Sequence, residues 1–162
     1  MNYQQRATVC IVDDDPNQIN MIKDFIESKY PNTAISTFAN GESALSGIHK
    51  EPDVLILDYH LDSEHAAAMN GIQVLQKYKQ RYPLSVVVFM SANERPEIAA
   101  NTIKYGAYDY VTKNEMAFSR MEIILNNTLY QSKLKKNLGQ QKLFNILFLF
   151  ALVLLLVSLL SK

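Results

Sequence analysis

The chain is poor in the features that would place it in several large classes. Its single cysteine, Cys10, rules out an intrachain disulfide; set inside an apolar run, it reads as a small core hydrophobe in a reducing, cytoplasmic setting. No apolar stretch follows the N-terminal Met-Asn-Tyr-Gln-Gln-Arg, so no cleaved secretory signal is expected. Internal repeats and low-complexity linkers are missing, and 162 residues leave room for one domain of ordinary size plus an appendage. Acidic residues stop at Glu122: residues 1–122 hold 11 Lys and Arg against all 16 Asp and Glu, whereas residues 123–162 hold five Lys and no acid. The formal net charge of zero therefore hides an acidic globule with a basic tail. Binding a phosphate backbone needs a concentrated basic surface, and neither that nor a DNA-reading module is recognisable, so nucleic acid is not expected as the direct partner.

What is present is a set of short apolar runs that each end in a polar residue. Val9-Cys10-Ile11-Val12 meets Asp13-Asp14, Val54-Leu55-Ile56-Leu57 meets Asp58, Val86 to Met90 meets Ser91, and Tyr110-Val111-Thr112 meets Lys113. Continuous apolar runs of this length read as strands buried on both faces, with Ala34 to Phe38 as a weaker edge strand. Between them lie helical patterns: Pro16 to about Ser28, Gly41 to His49, Gly71 to Tyr82, Pro96 to Tyr105 closed by Gly106, and a last helix from Glu115 to at least Tyr130 with Asn114 as its N-cap. Strand and helix alternating five times predict an α/β fold, a doubly wound five-stranded parallel sheet with helices on both faces and right-handed crossovers. The carboxyl ends of such strands converge.

Leu143 to Leu160 is 18 residues without a charge, Asn145 and Ser158 being its polar members. A helix of that length spans about 27 Å, close to the roughly 30 Å of a bilayer core, and the globule is complete before it begins. The expected organisation is a domain over 1–130, a basic juxtamembrane linker over 131–142 and a transmembrane helix over 143–160. Lys133, Lys135, Lys136 and Lys142 precede the span and Lys162 follows it, which predicts a single-pass, tail-anchored protein on the cytoplasmic face of the cell membrane, with the lipid bilayer as a partner. Gly139 is as compatible with a break in the long helix as with an uninterrupted one.

At the strand ends, the adjacent carboxylates of Asp13 and Asp14 repel each other unless a cation sits between them. A hard ion with oxygen ligands, magnesium (Mg2+), answers that need, with Asp58 as the third carboxylate and candidate nucleophile toward phosphorus. The Lys113 ammonium and the Ser91 hydroxyl would offset charge on a transferring phosphoryl group.

Val12-Asp13-Asp14-Asp15-Pro16, Leu57-Asp58, Met90-Ser91-Ala92 and Tyr110-Val111-Thr112-Lys113 resemble, in order and spacing, the signatures of response-regulator receiver domains of two-component signalling. The resemblance covers roughly residues 6 to 130. It implies a flavodoxin-like strand order 2-1-3-4-5 and a phosphorelay in which Asp58 is the phosphoacceptor, taking its phosphoryl group from a sensor histidine kinase or a histidine phosphotransfer protein. It implies Mg2+ bound by Asp14 directly, Asp13 through water, Asp58, and His60 through its backbone carbonyl. Ser91 and Ala92 would lie at the phosphoryl group and Tyr110 would turn inward, remodelling the face made by the Pro96 to Tyr105 helix, the following strand and the last helix toward an output protein. No enzymatic or DNA-binding output is implied.

Two departures from the family pattern stand out. Asn114 follows Lys113 where the family usually has a proline with a cis bond, which puts the reach of Lys113 in question. The loop from Tyr59 to Asn70 is longer than usual and lacks the family's common proline, making it a candidate lid or partner contact. Two other functions stay open on the residues. One is a haloacid-dehalogenase-like phosphatase with Asp13 as nucleophile and Asp15 as acid or base, weakened by the absence of a later acidic pair. The other is a degenerate receiver used as an unswitched binding module.

Overall fold

The computed structural model describes residues 6–61, 68–93 and 95–160, with the side chains at 133, 135, 136 and 152–160 outside that description. The chain divides into two compact units, Met1–Leu129 and Tyr130–Lys162. In the first unit, five parallel strands alternate with helices: β1 (Ala7–Val12), α1 (Pro16–Lys29), β2 (Thr33–Phe38), α2 (Gly41–Gly47), β3 (Val54–Asp58), α3 (Gly71–Arg81), β4 (Val87–Ser91), α4 (Pro96–Lys104) and β5 (Asp109–Thr112), followed by α5, which starts at Ala117. The sheet order is β2-β1-β3-β4-β5, the doubly wound, flavodoxin-like arrangement.

The unbroken apolar runs are explained by the two cores they feed. Successive strand residues point to opposite faces. Val9, Ile11, Ile56 and Val88 therefore pack with Ile22 and Ile26 of α1 and with Met121 and Leu125 of α5. Cys10, Val12, Leu55 and Phe89 pack on the other side, with Ala44 of α2 and Val74, Leu75 and Tyr78 of α3. Each such aliphatic side chain contributes about 1.5–3 kcal/mol by burial. Cys10 behaves as a core hydrophobe: burial pushes its thiol up to about 11, against the opposing effect of a hydrogen bond with Ser36.

Local signals place the element ends. Asp15 caps α1 by accepting the N–H of Asn17 at 2.8 Å, directly before Pro16 at the first helical position. Asn70 and Gln73 form a capping box at the start of α3. Gly106, with φ at +96°, ends α4 in the left-handed region that a side chain would strain. The last helix begins two residues later than the sequence predicts, because the Asn114 side chain accepts the N–H of Met116 at 3.0 Å and holds residues 115–116 in a turn.

The backbone of α5 runs as one helix, Ala117–Leu160, and Gly139 does not break it. In the second unit the large apolar residues from Leu143 to Phe150 are exposed. Among the described residues no helix is long and apolar enough to cross a membrane. The transmembrane helix expected over 143–160 is thus not shown. Half of it, residues 152–160, has side chains outside the description, and the nine residues from 143 to 151 span roughly 14 Å, about half of a bilayer core.

Candidate functional site

The register of the sheet brings the predicted polar residues to one end. Val12 pairs with Leu57, Leu57 with Phe89 and Phe89 with Tyr110, so the residues that follow in each strand lie side by side at the carboxyl edge. Asp13 comes directly after β1, Asp58 ends β3 and Ser91 ends β4; all three are buried. Lys113 comes directly after β5 and is held there by its backbone N–H, which donates to the Ser91 carbonyl at 2.7 Å.

The Lys113 ammonium joins the two buried acids. Its Nζ lies 2.8 Å from Asp13 Oδ2 and 2.6 Å from Asp58 Oδ1, with the lysine side chain 16% exposed and the carboxylates 2% and 5% exposed. The question raised by Asn114 is thereby answered: among the described residues no peptide is cis, and the lysine reaches both acids. Asp13 uses its other oxygen, Oδ1, to accept the N–H of Asp15 at 3.0 Å.

Burial pushes the Asp58 carboxyl above the ordinary aspartate range, and the nearby Asp13 charge adds to the rise. The hydrogen bond and charge of Lys113, together with the His60 backbone N–H, pull in the opposite direction. For Lys113, burial alone would lower the pKa, but hydrogen bonds to Asp13 and Asp58 and their charges overcome it and hold the ammonium above its ordinary value. Both shifts have one source: two carboxylates share one cation in a place with little water.

Of the residues expected to hold the metal, Asp13 and Asp58 come together on Lys113, and Asp14, which follows Asp13 after β1, is exposed. His60 is also exposed, its ring edge-on to Tyr59 at 4.8 Å between centroids. Among the described residues no group of three His, Cys, Asp or Glu side chains is arranged to hold a metal ion.

Around this pair lie the other predicted residues. Ser91 Oγ accepts the N–H of Asn93 at 3.1 Å, and Ala92 between them is exposed. Tyr110, half-buried, donates its hydroxyl to the Asn93 carbonyl at 2.6 Å, which ties β5 to the β4–α4 loop. Burial raises the Tyr110 phenol, opposed by a hydrogen bond with Ser91. Half of the expected lid after Asp58, residues 62–67, lies outside the described residues. Its described end is pinned where Glu42 Oε1 accepts the N–H of Met69 at 2.8 Å.

Sequence reasoning did not single out Asn93 or Gly71 for the site. Asn93 acts through its backbone, which leaves no trace in residue type. Gly71 is required by proximity: a Cβ there would stand 2.5 Å from the Asp58 carbonyl and 3.0 Å from that of Tyr59. A glycine next to a capping asparagine, at the start of the helix after the Asp58 loop, was the available signal.

Residues 9–125 match the family model described as the response regulator receiver domain. The chain belongs to that family. Among curated relatives, it is 36% identical over 107 residues to a protein-glutamate methylesterase/protein-glutamine glutaminase of Bacillus subtilis, covering 65% of this chain and 29% of the relative. It is 32% identical over 112 residues to the DNA-binding transcriptional regulator NtrC of Salmonella typhimurium, covering 67% of this chain and 22% of the relative. The chain thus spans under a third of the length of these relatives, and what it shares with both is the receiver segment. Among solved structures, NtrX from Brucella abortus aligns with a TM-score of 0.69 at 25% identity, over 84% of this chain and 29% of that one. A CheY-like receiver domain protein from Methanospirillum hungatei shares the fold, with a TM-score of 0.67 at 20% identity over 80% and 98% of the two chains.

Proposed function

We propose that this receiver accepts a phosphoryl group on Asp58 from a sensor histidine kinase or a histidine phosphotransfer protein, and passes the change on through protein contact. The observation that carries the reading is the Lys113 ammonium shared between buried Asp13 and Asp58. An Asp58 carboxylate oxygen would attack phosphorus. The new P–O bond forms as the P–N bond to the donor imidazole breaks, and the leaving nitrogen keeps the electron pair and takes a proton. Lys113 is already in contact with Asp58, so it stays beside the oxygens on which charge grows. Ser91, at the end of the neighbouring strand, offers a hydroxyl to the same group.

The donor set suits Mg2+ in type, since Asp13, Asp14 and Asp58 supply hard carboxylate oxygens close together in the chain's fold, two of them buried beside a single ammonium. Asp13, Asp14, Asp58 and the His60 carbonyl would hold the ion, which would supply further neutralisation of the phosphoryl oxygens. The dehalogenase-like alternative is disfavoured because Asp15, its acid or base, is engaged in capping α1.

The same proposal places the chain at the cytoplasmic face of the membrane, with 131–142 as linker and 143–160 as anchor. The 18 uncharged residues and the exposed apolar side chains from Leu143 to Phe150 support it. Incubation with acetyl phosphate and Mg2+ tests the chemistry: the mass should rise by one phosphoryl group in the wild type and not in Asp58→Asn. No gain in either would make the domain an unswitched binding module. Carbonate extraction of the full chain tests the anchor, and release into the supernatant would refute it.

A further inference from the structure

The turn that presents Lys113 is closed by one side chain. Asn114 Nδ2 donates to Thr112 Oγ1 at 2.8 Å, while its Oδ1 accepts the N–H of Met116 at 3.0 Å. Its backbone joins the same turn, its N–H donating to the Thr112 carbonyl at 2.9 Å and its carbonyl accepting the N–H of Ala117 at 3.0 Å. Asn114 thus grips the last residue of β5 on one side of Lys113 and the first turn of α5 on the other. Its side chain is exposed, so it adds little to the core, and the Lys113 backbone N–H is held by the Ser91 carbonyl. A lysine has four rotatable side-chain bonds, and a direction set at its backbone decides which acids the ammonium can reach together.

We infer that Asn114 is a positioning residue for the phosphoacceptor site: by bracing Thr112 to Met116 with a trans peptide, its carboxamide aims Lys113 at Asp13 and Asp58 simultaneously. The inference rests on the proposed phosphoacceptor role of Asp58. It differs from that role in naming a residue that touches neither acid.

Replacing Asn114 with Ala removes both side-chain bonds. Replacing Thr112 with Val removes one of them with little change of shape. In the full-length chain, Asn114→Ala should slow phosphorylation by acetyl phosphate about tenfold, a loss of the size that small misplacements produce, and Thr112→Val should slow it by less. In a Lys113→Ala background the same Asn114→Ala change should add less than about a twofold effect, because a positioning residue has nothing left to position. Urea unfolding provides a readout that needs no phosphorylation. Asn114→Ala should destabilise the chain clearly less in the Lys113→Ala background than in the wild type, because the two residues act on one contact. Additive losses, or an equal slowing in both backgrounds, overturn the inference. If wild-type Asp58 takes no phosphoryl group, the functional reading fails, while the unfolding cycle still decides the part played by Asn114.

Discussion

Strand β5 carries an ion pair at each end, and the two are built differently. At its start, Asp109 meets Arg120 Nη2, which lies 2.9 Å from both carboxylate oxygens, with the arginine side chain 59% exposed. At its far end, Lys113 meets two acids that are almost entirely buried. Water and salt screen the first pair, and such pairs contribute at most about 1 kcal/mol. The second lies where water is scarce, so its charges depend on one another, and removing one partner of such a group costs about 3–5 kcal/mol. The exposed pair decorates the fold. The buried one holds the Asp58 carboxyl above the ordinary aspartate range, with burial as the main cause and Lys113 opposing it.

The comparison can be broken most severely at Lys113. Lys113→Met should lower unfolding stability in urea by about 3–5 kcal/mol near neutral pH, since it leaves two buried carboxylates facing each other. The loss should shrink on acidification, as a proton on Asp58 removes one of the two charges. A smaller effect is expected in the pH profile of the wild type. Because the Asp58 pKa is raised on folding, the native state holds a proton more tightly than the unfolded chain, so this group's contribution to stability declines as pH rises from the ordinary aspartate value of about 3.9 through the folded one. Acceptance of phosphorus needs the carboxylate, so the rate with acetyl phosphate should fall as pH drops through the same window, and Lys113→Met should move that fall to higher pH. The smallest effect belongs to the other end of the strand: Arg120→Ala should change unfolding stability by no more than about 1 kcal/mol and leave phosphorylation untouched. Equal losses from the two lysine and arginine substitutions would erase the distinction.

Much of this arrangement was legible in the residues. Apolar runs without alternation, such as Val54-Leu55-Ile56-Leu57, admit a strand buried on both faces, and the structure divides them between two cores. The convergence of Asp13, Asp58, Ser91 and Lys113 followed from the parallel sheet. The difference between Asp13 and Asp14 did not, because spacing alone does not say which of two adjacent acids is buried and which is exposed. The roles of Asn93 and Gly71 escaped for related reasons: one works through a carbonyl, the other through the absence of a side chain. The start of α5 was misplaced by two residues because the Asn114 side chain closes a turn over 115–116 ahead of the helix.

The tie between Asp13 and Lys113 joins residues 100 positions apart. A chain emerging from the ribosome therefore exposes both acids long before their counter-charge has been synthesised. The proposed phosphoacceptor centre cannot be preassembled in a fragment that stops short of β5; its ion pairs and the completion of the sheet arrive together, so reactivity at Asp58 would serve as a clock for the finished domain.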